Sequence, residues 1–197
     1  MAQDLFVEPA ENVVIGVVTS RTGTGPCDIY LEGTQAVFST DERMPFDNAI
    51  NGSGFEVDPC TVAVGGSAAV EGYYGDADSK LHIFAFESDD ADVLESGVTT
   101  ITRASCDRGR IEVRGASTLV AGTAVVKEHI DTVLPENQTV FGTADLQFDA
   151  VTGTSIYRFR TNLVTSDCPD FVRVESDVDG IAPIAYDSFV VAPVDIK

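Results

Sequence analysis

The chain has 197 residues, 44% of them hydrophobic, and its 32 acidic and 12 basic side chains give a net charge of −20. Apolar content on that scale can fill the core of one large β domain or of two small ones. A surface this acidic repels phosphate backbones, which argues against naked DNA or RNA as a partner. Residues 1–5 carry no basic side chain, and the longest apolar run, 13–18, is too short for a signal core or a membrane span. No signal peptide and no membrane insertion are therefore expected.

In chain order, five short matches suggest an internal duplication. Gly16-Val17-Val18-Thr19 recurs as Gly97-Val98-Thr99-Thr100, and Cys27-Asp28 recurs as Cys106-Asp107. Ile29, Leu31, Gly33 and Val37 are matched by Ile111, Val113, Gly115 and Leu119. Gly66, Ala68 and Val70 meet Gly142, Ala144 and Leu146, and Ser88, Asp89 and Asp92 meet Ser166, Asp167 and Asp170. The matches keep their order at offsets of 76 to 82 residues, the pattern of a repeated unit. The expected fold is all-β: two pseudo-repeated antiparallel β units, sandwich or barrel-like, with at most one short helix. The first unit with its N-terminal arm covers 1–94 and the second 95–171, while 172–197 forms a C-terminal edge strand or arm.

Within the first unit, the polar stretch Asp41–Gly54 reads as a long loop. Gly66–Tyr74 and Lys80–Glu87 read as the strands of a hairpin. Strict alternation in the second strand sets Leu81, Ile83 and Ala85 against His82, Phe84 and Phe86, so both faces are apolar and His82 is expected to pack in the core. In the second unit, Val126, Ile130 and Val133 lie at i, i+4 and i+7 before Pro135, which predicts a helix over Thr123–Leu134. Tyr157, Phe159 and Thr161 alternate with Arg158 and Arg160, so that strand has one wet face. Pro183 and Pro193 break an alternating tail over 181–194, which suits an edge strand.

Four cysteines lack the paired spacing of a zinc site. Cys27 with Cys60, and Cys106 with Cys168, give one disulfide per unit in an oxidising environment, with buried thiols as the alternative. Seven of the nine arginines lie after residue 95: Arg103, Arg108, Arg110 and Arg114, and later Arg158, Arg160 and Arg173. That asymmetry fits either a head-to-tail or inter-unit electrostatic contact, or simple drift of surface charge. Calcium is the best ligand candidate, because Asp76, Asp78, Asp89, Asp90 and Asp92 place hard oxygen donors in turns; solvated aspartates closing Asx turns are the plainer reading. No nucleophile elbow, H-E-x-x-H, P-loop or dinucleotide fingerprint is present, and no catalytic or cofactor residue is assigned.

The leading expectation is a non-enzymatic, self-assembling structural β protein, located in a virion as a capsid decoration or tail component of a tailed phage. It would act as a homo-oligomer whose partners are itself and other structural proteins. The alternative is a cell-surface or secreted tandem β-sandwich that binds glycan or protein, with or without calcium. A carboxylate-dependent hydrolase ranks third.

Overall fold

The computed structural model describes residues 12–41, 44, 48–75, 77–134, 137–164, 167–177 and 189–197. The N-terminal arm, Asp76, Pro135, Ser166, residues 181–188 and part of the 41–54 loop lie outside the described residues. The fold is all-β, divided into two compact units, Met1–Leu94 and Glu95–Lys197.

Six strands build the first unit: β1 (Asn12–Thr22), β2 (Asp28–Leu31), β3 (Val37–Thr40), β4 (Ala49–Ile50), β5 (Ser67–Gly75) and β6 (Lys80–Glu87). Their order is β3-β2-β1-β5-β6-β4, and a parallel pairing of β3 with β6 closes the sheet on itself. The closed circuit β1-β2-β3-β6-β5 has the connectivity of an OB-type Greek-key barrel, a frame that hosts unrelated functions and carries no functional inference alone. β1 serves two neighbours: residues 12–17 pair with β5, residues 18–22 with β2, and a bulge at Thr19 bends the strand between them. Val18, Ile29, Leu31, Phe38, Val70, Ile83 and Phe86 fill the interior.

β6 departs from strict alternation. Glu71 pairs with Ala85 and Gly72 with Ile83, so Phe84 is the extra residue of a bulge. One inserted residue reverses the phase of the strand. Ile83 and Phe86 therefore both enter the core. His82 is on the rim rather than in the core: its ring stacks on Tyr73 with centroids 5.2 Å apart, and its Nε2 lies 3.1 Å from an Asp78 carboxylate oxygen.

The second unit is a two-sheet sandwich. One sheet runs β11 (Gln147–Asp149), β12 (Thr154–Asn162), β8 (Arg110–Ser117), β7 (Thr99–Asp107) and β15 (Asp195–Ile196); the other runs β10 (Val140–Asp145), β9 (Thr123–Glu128), β13 (Phe171–Asp177) and β14 (Phe189–Pro193). Ile111, Val113, Tyr157 and Phe159 of the first sheet meet Ala124, Val126, Val172 and Val174 of the second.

Three expectations are corrected. The predicted helix is absent: Thr123–Glu128 is strand β9, central between β10 and β13, with Ala124 and Val126 buried on alternate positions. Its β-branched residues suit a pleated surface, and of the residues that completed the helical spacing Ile130 is exposed and Val133 half-buried. Residues 172–197 are not a single edge strand or arm: β13 is an interior strand, while β14 and β15 each lie at the edge of a different sheet. The two units also have different strand orders, so the duplicated sequence pattern is not expressed as a common connectivity. Gly33 turns the chain after β2 at φ 79°, whereas Gly115 sits inside β8 for a different reason. There the Tyr157 ring lies over it, and the Tyr157 hydroxyl donates to the Thr100 carbonyl at 2.7 Å; a Cβ would strike both.

Cys27 is bonded to Cys60 and Cys106 to Cys168, one bridge in each unit, with Cα separations of 5.6 and 5.8 Å. They close loops of 33 and 62 residues. Chain entropy alone values each at about 4 kcal/mol, a large share of the stability of domains this small. Paired serine variants, C27S/C60S and C106S/C168S, should each lose about 2–5 kcal/mol in denaturant unfolding of the otherwise bridged chain. A loss under about 1 kcal/mol from either pair would show that the cores hold without their staples.

Candidate functional site

On the sheet β7-β8-β12, side chains alternate between the core and the outer face. Because Ile111, Val113, Tyr157 and Phe159 point inward, Arg110, Glu112, Arg114, Arg158 and Arg160 must point outward. The ladder register then sets them side by side: Arg103, Arg114 and Arg158 form one cross-strand row, and Ser105, Glu112 and Arg160 form the next. Five arginines thus share one face with two carboxylates, Glu112 among them and Asp107 opposite Arg110 at its end.

Glu112 ties three of these together. Its Oε1 accepts from Arg114 Nε at 2.6 Å and from Arg158 Nε at 3.0 Å, while Oε2 accepts from Arg160 Nη2 at 2.6 Å. Partial burial pushes the Glu112 carboxyl up, but the hydrogen bonds and charges of Arg114 and Arg160 outweigh this and hold it below the usual glutamate range. Among the described residues, Arg103 and Arg110 have no ion-pair partner. Three guanidinium groups in one row repel one another, so the face favours an incoming anion. Ile156 stands beside Arg158 at 51% exposure, and an open groove of about 880 Å³ runs along the face between Arg114, Ile156, Arg160 and Asp145.

This patch sits in a very acidic chain. Residues 1–94 hold 17 acidic and 3 basic side chains, net −14, and residues 95–197 hold 15 and 9, net −6. A second charged cluster lies on the other sheet, where Lys127 and Arg173 both bind Glu175 at 2.6 Å and Arg173 covers the Phe189 ring. Burial raises the Glu175 carboxyl, but its two cations win and lower it. With Arg173 buried, this cluster is a satisfied structural triad rather than a contact surface.

The predicted acidic turns have other duties. Asp89 Oδ1 accepts from the Gly52 amide at 2.9 Å, and Asp90 Oδ2 accepts from the Ser67 amide at 2.9 Å. The Asp92 amide donates to Thr61 Oγ1 at 2.7 Å, and Asp78 Oδ1 accepts from the Lys80 amide at 3.2 Å while facing His82. The Asp89 and Asp90 carboxylates pin neighbouring loops, and Asp78 closes an Asx turn. Among the described residues, no three histidine, cysteine, aspartate or glutamate side chains are gathered to hold a metal.

Comparison with family models, with curated proteins and with solved structures finds no match to this chain. The arginine face had a visible signal in the spacing Arg110-x-Glu112-x-Arg114 and Arg158-x-Arg160, which puts like charges on one side of each strand. Which strands would lie side by side had none, because the β8–β12 pairing joins residues 38 to 52 positions apart.

Glu112 stabilises the fold in its ionised form. A carboxyl held below its unfolded value contributes above pH about 4.3 and loses that contribution as pH falls through the lowered value. E112Q should therefore lower the melting temperature at neutral pH, and its gap from the wild type should close below about pH 4. Salt should narrow the gap at neutral pH. An equal gap at pH 3 and pH 7, read by thermal scans, would contradict this role.

Proposed function

We propose that the chain is a non-enzymatic structural protein of an oxidising setting that works by assembling with copies of itself. The observation that carries this reading is the arginine face of β7-β8-β12, a docking surface for carboxylates in a chain of net charge −20. Guanidinium groups suit this task, since their planar donors meet carboxylates in fixed geometry and stay charged. Support for the setting comes from the two bridges, which persist where the medium is oxidising. They favour an extracellular station over a particle assembled in a reducing cytoplasm, so the secreted form of the protein takes precedence over the virion placement expected from sequence. Among the described residues, no helix is long and apolar enough to cross a membrane.

A second reading, a β module that holds an acidic glycan, is favoured by the open groove beside the same arginines. The two differ in their free state. Light scattering on the bridged chain at moderate salt should give a mass above that of one chain, rising with concentration. A strictly monomeric species that takes up a sulfated oligosaccharide in calorimetry would instead establish the glycan reading.

A further inference from the structure

The outer face of the first unit is the chemical counterpart of the arginine face. β1 directs Val13, Ile15 and Val17 outward at 61%, 76% and 40% exposure, a run of three branched apolar side chains in contact with solvent. The register surrounds them with carboxylates: Val13 is opposite Glu71, and Ile15 is opposite Ala69, whose other neighbour is Glu87. The Glu32 amide donates to the Val17 carbonyl at 2.8 Å, which brings a third glutamate to the end of the stripe. Apolar stripes rimmed by charge mark contact surfaces in soluble proteins.

We propose that this glutamate-rimmed apolar face of one copy docks on the arginine face of another. The inference rests on the self-assembly reading and names the two surfaces that meet. Charge complementarity selects the occupant: Glu32, Glu71 and Glu87 answer Arg103, Arg110 and Arg158, and exposed Ile156 meets the valine and isoleucine stripe. Arginine stems cover apolar surface while their heads reach the rim. The apolar centre supplies affinity and the charges supply register. Because the two surfaces differ, the contact is heterologous, and repeated copies make a ring or an open filament rather than a two-fold dimer. Repulsion between two chains of −20 is screened within about 8 Å at 0.15 M salt, which leaves the local pairing in control.

Reversal of either face tests this. In sedimentation velocity at 0.15 M salt, E71R/E87R and R103E/R110E should each sediment as one chain, with the apparent Kd raised about a hundredfold or more. The second pair avoids the three arginines that Glu112 holds, and the neutral variant E71Q/E87Q should weaken association with the fold intact. An equimolar mixture of the two reversed variants should regain assembly, since each carries the surface the other needs. Wild-type-like assembly of both reversed variants overturns the proposed contact and leaves self-assembly standing. A wild type that stays monomeric at every concentration overturns both.

Discussion

The two-residue period of β8 and β12 couples the core of the second unit to its charged face. Every side chain that alternation commits to the interior fixes the next one outside, so Ile111, Val113, Tyr157 and Phe159 cannot be buried without presenting Glu112, Arg114, Arg158 and Arg160. A slip of one residue would bury four charged groups together, which the interior cannot hold without full compensation. Tyr157 locks the register further: its ring occupies the space that a side chain at Gly115 would fill, and its hydroxyl satisfies the Thr100 carbonyl beside the bulge in β7. Burial pushes the phenol well above its ordinary range, so it stays a neutral donor throughout the physiological pH range.

Small cores explain why each unit carries a bridge. Valine, alanine and isoleucine dominate both interiors and there is no tryptophan. Units of about 95 residues bury a modest fraction of their surface, and a covalent link that restricts the unfolded chain offsets the shortfall. Cys27 and Cys60 lie in the barrel core itself, close to Thr40, whose hydroxyl accepts from the Cys27 amide at 2.9 Å. In the sandwich, Cys106 on β7 is tied to Cys168, so the bridge joins the first sheet to the segment that leads into β13 of the second.

Local pattern made much of this legible. Alternation over 156–161 marked the strand and its wet face, and assigning one bridge to each unit required only the positions of four cysteines. Features set by non-local partners were not legible. The parallel pairings of β3 with β6 and of β15 with β7 join segments that share no local signal. The bulge at Phe84 reversed a face that simple alternation placed elsewhere, and β9 imitated a helix because three apolar residues fell at helical spacing. The sequence repeat has no counterpart in strand order, and Gly33 and Gly115 answer different needs, a left-handed turn and a close ring contact.

The proposed self-assembly gives the charged face its role. A surface ion pair contributes about 0–1 kcal/mol, so no single arginine would hold a neighbour; the gain must come from several pairs around a dehydrated apolar centre. Carboxyl footprinting of the bridged wild-type chain, read residue by residue in a mass spectrometer at low and high protein concentration, tests that directly. Labelling of Glu71 and Glu87 should fall as concentration rises, while that of Asp131, exposed and part of neither surface, stays constant. Unchanged labelling of Glu71 and Glu87 in samples that have demonstrably assembled would contradict the account.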